Sequence, residues 1–293
     1  MSESPVVTSR YDFVYLFDCQ DGNPNGDPDF DNAPRFDPET FQGLVSDVCL
    51  KRKIRDYVAL LKSSNGKVEP GYRIFVMSGS TLESQQKLPY EDLAIEPKNQ
   101  DRDKIAKARA WMCDKFFDVR AFGAVMSTKL FNCGQVRGPV QITFARSLDR
   151  VFSTDHCITR VAYTKEEKAT TSTGSTEMGR KYTIAYGLYC THGFVNAAFA
   201  TQTGFTEADL AVLWRALGNM FDMDRSAAHG LMCPRGLYIF KHSSTLGEAP
   251  AHKLFERVKV EKNPGVESPR GFSDYTVTVD DKDLPAGVTL KSF

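Results

Sequence analysis

Three carboxylates, Asp27, Asp29 and Asp31, recur at every second position of a loop that opens Asp21-Gly-Asn-Pro-Asn-Gly-Asp-Pro28 and runs on to Asn32-Ala-Pro-Arg35. Carboxylates spaced in this way could converge on a divalent metal and activate water for phosphodiester hydrolysis. Aspartates clustered in a turn are more often solvated punctuation. The same loop partly fits a calcium pattern, because Asp21, Asn23, Asn25, Gly26 and Asp29 fall at positions 1, 3, 5, 6 and 9 of an EF-hand loop. Position 12, where a bidentate Glu closes the cage, is Asn32, and the element before the loop reads as a strand. The five histidines, at 156, 192, 229, 242 and 252, are isolated and lack metal-ligand or nucleophile spacing. No G-x-S-x-G, P-loop or G-x-G-x-x-G after a strand occurs. Enzyme signals are therefore weak.

A second chemistry is cationic. Lys51-Arg-Lys-Ile-Arg55 places four positive side chains in five residues. Leu50, Ile54, Tyr57 and Leu61 recur at i, i+4, i+7 and i+11, one apolar stripe of a helix over about 44–61. At roughly 100° per residue, Arg52 and Arg55 point away from that stripe, and Lys51 and Lys53 flank it. Beside a polar, backbone-rich loop, such a cluster makes a phosphate-binding corner. The plainer reading is a solvated helix face. Arg225, in Asp224-Arg-Ser-Ala-Ala-His-Gly, and Arg235, in Cys233-Pro-Arg-Gly236, add guanidiniums beside small residues, either near a nucleic-acid backbone or as helix caps.

The elements that must position these groups follow from periodicity. Residues 10–18 read as a strand, 63–67 as a turn, 72–77 as a short strand and 102–119 as a helix. Residues 79–103, without clean periodicity and holding Pro89 and Pro97, read as the start of an irregular insertion. Residues 134–144 give a turn and an alternating strand. Ile158–Tyr163 reads as one arm of a hairpin whose polar tip covers 165–180. A long strand region, 182–189 and 194–199, is expected to break near Gly193. Thr206-Glu-Ala-Asp209 is a capping-box start, and Leu210, Leu213, Trp214, Leu217, Met220 and Phe221 form the strongest amphipathic stripe in the chain. Strands are expected at 236–240, 255–260 and 275–279. Stripped of insertions, the order β-α-β-β-β-α-β predicts an α+β fold of the split βαβ type, two helices on one face of an antiparallel sheet.

Composition bounds the function further. At 293 residues, the chain can bury a sizeable core in one large domain with insertions. Lys+Arg and Asp+Glu each count 37, so nucleic-acid binding would need local segregation of charge rather than a net basic surface. Seven scattered cysteines without C-x-x-C read as reduced thiols, not as a disulfide frame or zinc site. No apolar run approaches the roughly 20 residues of a membrane span, and the N-terminus lacks a signal pattern. A soluble cytoplasmic protein is expected.

Several stretches together resemble one family. Tyr11-Asp-Phe-Val, the Asp21–Pro28 loop, Pro34-Arg35, Gly43–Arg55, Asp118-Val-Arg-Ala-Phe-Gly123, Gly138-Pro-Val-Gln141 and Asp222-Met-Asp-Arg-Ser-Ala-Ala228 are similar to the repeated backbone subunit of the type I-C CRISPR surveillance complex (Cascade), of the RAMP superfamily. The resemblance spans roughly residues 10 to 242 and is weakest after Lys253; residues 263–271 and the tail match nothing in it. It implies an RNA-recognition-type palm (1–78, 135–155 and 184–293), an inserted fingers region (79–134) and a thumb hairpin (156–183). It also implies a non-catalytic scaffold without cofactor, acting in antiviral defence. Copies would polymerise head-to-tail along one guide RNA (crRNA) and leave its bases free to pair with target DNA. Further partners would be a small guide-processing end-cap subunit, a large PAM-reading subunit and small subunits. The related type III group, which cuts RNA with a loop aspartate, implies an alternative centred on Asp27, Asp29 or Asp31.

A subunit that holds any guide must contact phosphates and sugars. Lys51 and Arg52 match the family's Lys-Arg at the helix start, with Arg55 on the same exposed side. Ser46, Asn23, Asn25 and Arg35 add polar contacts. Phe122, Gly123 and Met126 match the loop that lies along the RNA, and Arg137, Arg225 and Arg235 complete the expected set. Ile158 or Tyr163 would be the thumb's wedge.

Overall fold

The computed structural model describes residues 4–97, 101–160 and 177–293. Strand β1 (Tyr11–Gly22) is buried along nearly its whole length. Its near-continuous apolar sequence is explained by cover on both faces. Phe13, Tyr15, Phe17 and Cys19 enter the main core, whereas Val14 and Leu16 join a second cluster with Phe240 and Leu254.

After β1 come the two-residue strands β2 (Gly26–Asp27) and β3 (Ala33–Pro34), then β4 (Gln42–Val45) and helix α1 (Asp47–Leu61). Ser46 caps α1, so the helix begins later than 44, and residues 42–45 instead pair with β10 (Ala145–Arg150) at the sheet's edge. Residues 63–68 form a tight hairpin, β5 (Ser63–Ser64) and β6 (Lys67–Val68), with Asn65 and Gly66 both at positive φ.

The insertion is helical. It holds α2 (Leu82–Asp92), α3 (Arg102–Lys115), α4 (Phe117–Phe122), β7 (Gly123–Met126) and β8 (Gly134–Arg137) around a separate core that includes Phe75, Met112, Phe116 and Cys133. Three expectations fail here. Residues 72–77 form no strand beyond a single bridge between Arg73 and Phe116, because a carboxylate, Asp118, takes the N–H groups of Phe75 and Val76. Residues 82–92 are helical although they show no stripe, since α2 buries only Gln86, Pro89 and Tyr90. The helix expected over 102–119 breaks at Phe116, which is extended.

The remaining elements are β9 (Val140–Ile142), β11 (Ser153–Arg160), β12 (Glu177–Val195), α5 (Ala197–Thr203), α6 (Glu207–Met223), β13 (Leu231–His242), α7 (Ala251–Phe255), β14 (Val258–Lys262), β15 (Tyr275–Val279) and β16 (Val288–Ser292). The main sheet runs β16-β13-β1-β12-β10-β4 with antiparallel neighbours, and β9 and β11 also pair with β12. The sequence β1-α1-β10-β12-α6-β13 with spatial order β13-β1-β12-β10 is that of a split βαβ unit. Gly193 does not interrupt β12. It lies under the Phe13 ring, whose Cζ would sit 1.9 Å from an added Cβ, so glycine keeps the strand continuous beneath an aromatic side chain. Residues 196–199 leave the strand, as Asn196 caps α5.

Helices α1 and α6 pack together on one face of the sheet. The capping box at Thr206 and Asp209 is present, Trp214 meets Phe13 edge-on at 5.2 Å, and the Tyr15 hydroxyl donates to Leu217 O at 2.7 Å. The opposite face is covered by α7 and the β14–β15 hairpin, and β16 extends the sheet beyond β13. Among these, α5, α7 and β16 were not expected from sequence.

Candidate nucleic-acid interface

The loop after β1 is built by its own amides. Asn25 Oδ1 accepts both the backbone N–H and the hydroxyl of Ser46, at 2.9 Å each, while Ser46 Oγ accepts the Cys49 N–H. Asn23 donates its side-chain N–H to Asn32 O (2.7 Å) and its backbone N–H to Ala228 O (2.8 Å). Asn23, Asn25 and Ser46 thus clamp the loop onto the start of α1, and Asn23 and Ser46 are buried. Arg35 meets Asp27 at 3.2 Å and stays one-third exposed.

The four cations of α1 part company. Arg52 stays on the surface in an i,i+4 pair with Asp56, its side chain 53% exposed. Lys51 pairs with Asp47 at 2.9 Å, and its Nζ lies 5.8 Å from the centre of the Phe122 ring. Arg55 is not on the exposed side. The insertion covers it: its guanidinium donates to Asp118 (2.8 Å) and lies 5.2 Å from the centre of the Phe122 ring. Lys53 does not flank the stripe in solvent either; it is buried and pairs with Asp224.

Phe122 is nearly buried beneath Lys51 and Arg55, and Met126 is fully buried in the insertion's core, so neither presents an open apolar face. The loop expectation for Met126 fails because β7 pairs with β8 and turns that side chain inward. Gly123 has φ 81, and an added Cβ would lie 2.4 Å from Val136 O; glycine is needed where the start of β7 lies against the backbone of its partner strand β8. Arg137 is exposed, its guanidinium 4.4 Å from the centre of the Phe199 ring.

The remaining arginines are set apart. Arg225 pairs with Asp222 at the end of α6. Arg235 lies under the C-terminal layer, on the face opposite α1, donating to Asp18 (2.7 Å) above Phe272. Burial raises the Asp18 pKa, with the Arg235 contact pulling it back.

A feature that sequence reasoning missed lies at the β4 edge. Phe36, Phe41 and Phe152 stack in a ladder with centroids 6.1 and 6.0 Å apart, although they are 44%, 40% and 68% exposed. Phe41 holds φ 59, an uncommon backbone state for a bulky residue. The signal was the spacing of aromatics around Pro34 and Pro38, but Phe152 is distant in sequence. Next to the ladder, the β11–β12 hairpin projects with residues 153–159 exposed, and the Tyr182 hydroxyl ties its base to Asp31 (3.0 Å). Ile158 is 47% exposed on this hairpin; Tyr163 lies outside the described residues.

The aspartates do not converge. Asp27 caps the turn at Pro28–Phe30 and meets Arg35, whereas Asp31 accepts from Tyr182. Among the described residues, no group of three His, Cys, Asp or Glu side chains is placed to hold a metal.

Asp224 joins α1 to the loop after α6, accepting from Lys53 and from His229 Nδ1 (3.1 Å). Burial pushes its pKa up, but the hydrogen bonds from His229 and Lys53 outweigh that and hold it at about 2. Hydrogen bonding to the same carboxylate raises His229. A carboxylate with a depressed folded pKa stabilises above its unfolded value, and the gain is lost as pH falls through the folded value. The gap in urea midpoint between the protein and Asp224→Asn should therefore be full near about pH 5 and close toward about pH 2. His229 behaves oppositely: its share is full below the ordinary histidine range and fades as pH rises through its raised value. A gap that stays flat from pH 5 down to 2 would sink the assignment.

No helix among the described residues is long and apolar enough to cross a membrane. The sequence pattern of the family described as CRISPR-associated protein Cas7 matches residues 9–280. A CRISPR-associated protein Cas7 of Haloferax volcanii is 29% identical over 236 residues, which are 73% of this chain and 66% of that relative, just under two thirds of its length. A chain of a solved CRISPR RNA-guided surveillance complex, pre-nicking, is 14% identical with TM-score 0.46, covering 79% of this chain and 78% of that one. A chain of the type III-B Cmr-beta complex bound to cognate target RNA is 11% identical with TM-score 0.40, covering 79% and 61%. With nearly all of its length matched by one family pattern, the chain belongs to the CRISPR-associated protein Cas7 family.

Proposed function

We propose that the chain is a non-catalytic backbone subunit of a type I-C CRISPR surveillance complex, several copies of which line up along one guide RNA and hold it by its sugar-phosphate backbone. The family match over residues 9–280 carries this reading. In it, the split βαβ unit is the palm, the insertion with its separate core is the fingers, and the β11–β12 hairpin is the thumb, with Ile158 as wedge. Bases left free would pair with target DNA, and end-cap, PAM-reading and small subunits would complete the assembly.

The geometry supports a sequence-independent grip. Arg52 is exposed in the first turns of α1 with Lys51 beside it, largely covered by Asp47 and Phe122, Arg137 is exposed on Phe199, and the Phe36–Phe41–Phe152 ladder offers ring surface against which bases of any sequence can stack. Asp27 is held by Arg35 and Asp31 by Tyr182, which leaves Asp29 as the loop aspartate on which the ribonuclease alternative would rest.

The test is a titration into an unrelated single-stranded RNA of about 45 nucleotides without divalent metal, read on native gels at several salt concentrations. Discrete bands should climb to a limit and weaken with salt. Lys51→Ala with Arg52→Ala should weaken binding and flatten the log–log salt slope by about 1.4, that is, about 0.7 for each lost single-strand phosphate contact. An unchanged slope would remove these two side chains from the interface. RNA that shortens on adding magnesium, and is protected by Asp29→Ala, would establish the ribonuclease reading instead.

A further inference from the structure

Among the described residues, two surfaces of opposite character without partners lie toward opposite ends of the main sheet. Beside β4, the Asp27–Asp31 turn carries Phe30, 72% exposed between aspartates, as a knob at the lip of a mainly apolar cleft of about 590 Å3 that Pro34, Phe36 and Tyr182 also line. Asp27 is engaged by Arg35 and Asp31 by Tyr182, but Asp29 is exposed and meets no cation among the described residues. The knob is acidic and aromatic.

Beyond β1, between α6 and β13, is a mainly apolar cavity of about 680 Å3. Tyr15, Trp214 and Leu237 line its floor, and Arg215, Gly218 and Phe293 form its rim. Arg215 is exposed and has no ion pair among the described residues. A Cβ added at Gly218 would meet nothing within 4 Å, so that wall is open. Phe293 is 76% exposed. The cavity is a greasy socket with a free cation at its mouth.

Knob and socket cannot meet within one molecule. Strands β1, β12 and β10 separate β13 from β4, and four spacings of ~4.8 Å put those two strands roughly 19 Å apart. Complementary surfaces on opposite edges of one chain are satisfied between copies, and such heterologous contacts repeat along an open array unless rotation closes them.

We propose that the Asp27–Asp31 knob of one copy docks into the α6–β13 socket of the next, Phe30 entering the cavity and Asp29 facing Arg215. This rests on the reading of the chain as a subunit repeated along one RNA, and it names the surfaces by which neighbours meet. An aromatic anchor in a desolvated pocket is the usual energetic centre of an interface, and the charge pair at its mouth sets approach and register.

Four variants test it: Phe30→Asp at the knob, Gly218→Phe at the socket, Asp29→Arg and Arg215→Asp. All four positions are exposed, and an unchanged melting temperature would confirm that each variant folds. Each should raise the protein concentration needed to fill a long single-stranded RNA by about tenfold or more. Affinity for an RNA long enough for only one copy should not change. Asp29→Arg combined with Arg215→Asp in one chain should recover assembly. A mixture of Phe30→Asp and Gly218→Phe copies keeps one intact junction per pair, so it should form a discrete two-copy species that neither variant forms alone. Assembly of Phe30→Asp or Gly218→Phe at wild-type concentration would overturn the proposal, as would an equal loss on the short RNA. Loss with Phe30→Asp but not with Gly218→Phe would assign the knob to another partner and also overturn it. Failure of the wild-type protein to bind either RNA would instead remove the underlying function.

Discussion

Asp118→Ala is expected to lower the unfolding free energy by about 3–5 kcal/mol, the range for removing one partner of a buried ion pair. The carboxylate is 1% exposed and accepts from Phe75 N (2.7 Å), Val76 N (3.1 Å) and Arg55 Nε (2.8 Å). Alanine would leave a guanidinium with little access to water, pressed on the Phe122 ring, and two peptide N–H groups without an acceptor. Asp118→Asn retains one acceptor oxygen and should fall between the two. Because Asp118 joins α1 to the insertion, RNA affinity at the Lys51–Arg52 corner should also fall while the protein is still mostly folded. Urea midpoints, with fluorescence of Trp111 in the insertion and Trp214 on α6 followed together, report the first effect. A loss below about 1 kcal/mol would mean that water takes over the three donors.

That carboxylate also shows where the sequence ceased to be readable. The helix α6 was legible because its stripe faces one surface, the sheet, and its capping box is local. Helix α1 has the same kind of stripe, so Leu50, Ile54 and Tyr57 were placed correctly. A helical wheel knows only one packing partner, however. Arg55 points away from the sheet yet is covered by α4, through Asp118, and Lys53 is covered by the loop at Asp224. Met126 looked like a loop residue because the insertion's core, formed by residues scattered from Phe75 to Cys133, leaves little periodicity in any one segment. The Phe36–Phe41–Phe152 ladder draws on two stretches that only the sheet edge brings together. Strand β16 was not expected either, because only Val288 and Leu290 of its five residues turn toward the core. The loop contacts of Asn23 and Asn25 were expected to reach outward. They serve the fold first, since a chain that leaves a buried strand and enters a helix must satisfy its own peptide groups.

Arg120→Met should cost about as much as the Asp118 change, about 3–5 kcal/mol, for a different reason. Arg120 forks onto Asp209, Nε to Oδ2 at 2.9 Å and Nη2 to Oδ1 at 2.8 Å, and also donates to Cys113 O, Asp114 O and Gly71 O. Asp209 is 1% exposed and already accepts the Thr206 N–H and hydroxyl that start α6. Without the guanidinium, that carboxylate is a buried charge held by cap donors alone, and three carbonyls lose their partner. Arg120→Lys should rescue little, because one ammonium cannot reproduce a planar fork reaching the carboxylate and the three carbonyls. Arg120→Met with Asp209→Leu removes both charges, so it should be less unstable than the sum of the single changes, although Asp209→Leu also strips the cap and costs about 1 kcal/mol on that account. The double-mutant cycle separates the two roles of Asp209. A coupling energy near zero would make it only a cap; a coupling of about 1–3 kcal/mol would make the pair the joint that fixes the insertion, and Phe122 with it, against α6. The second outcome is expected, since both partners are buried and their fork is the direct side-chain link from α4 to the start of α6.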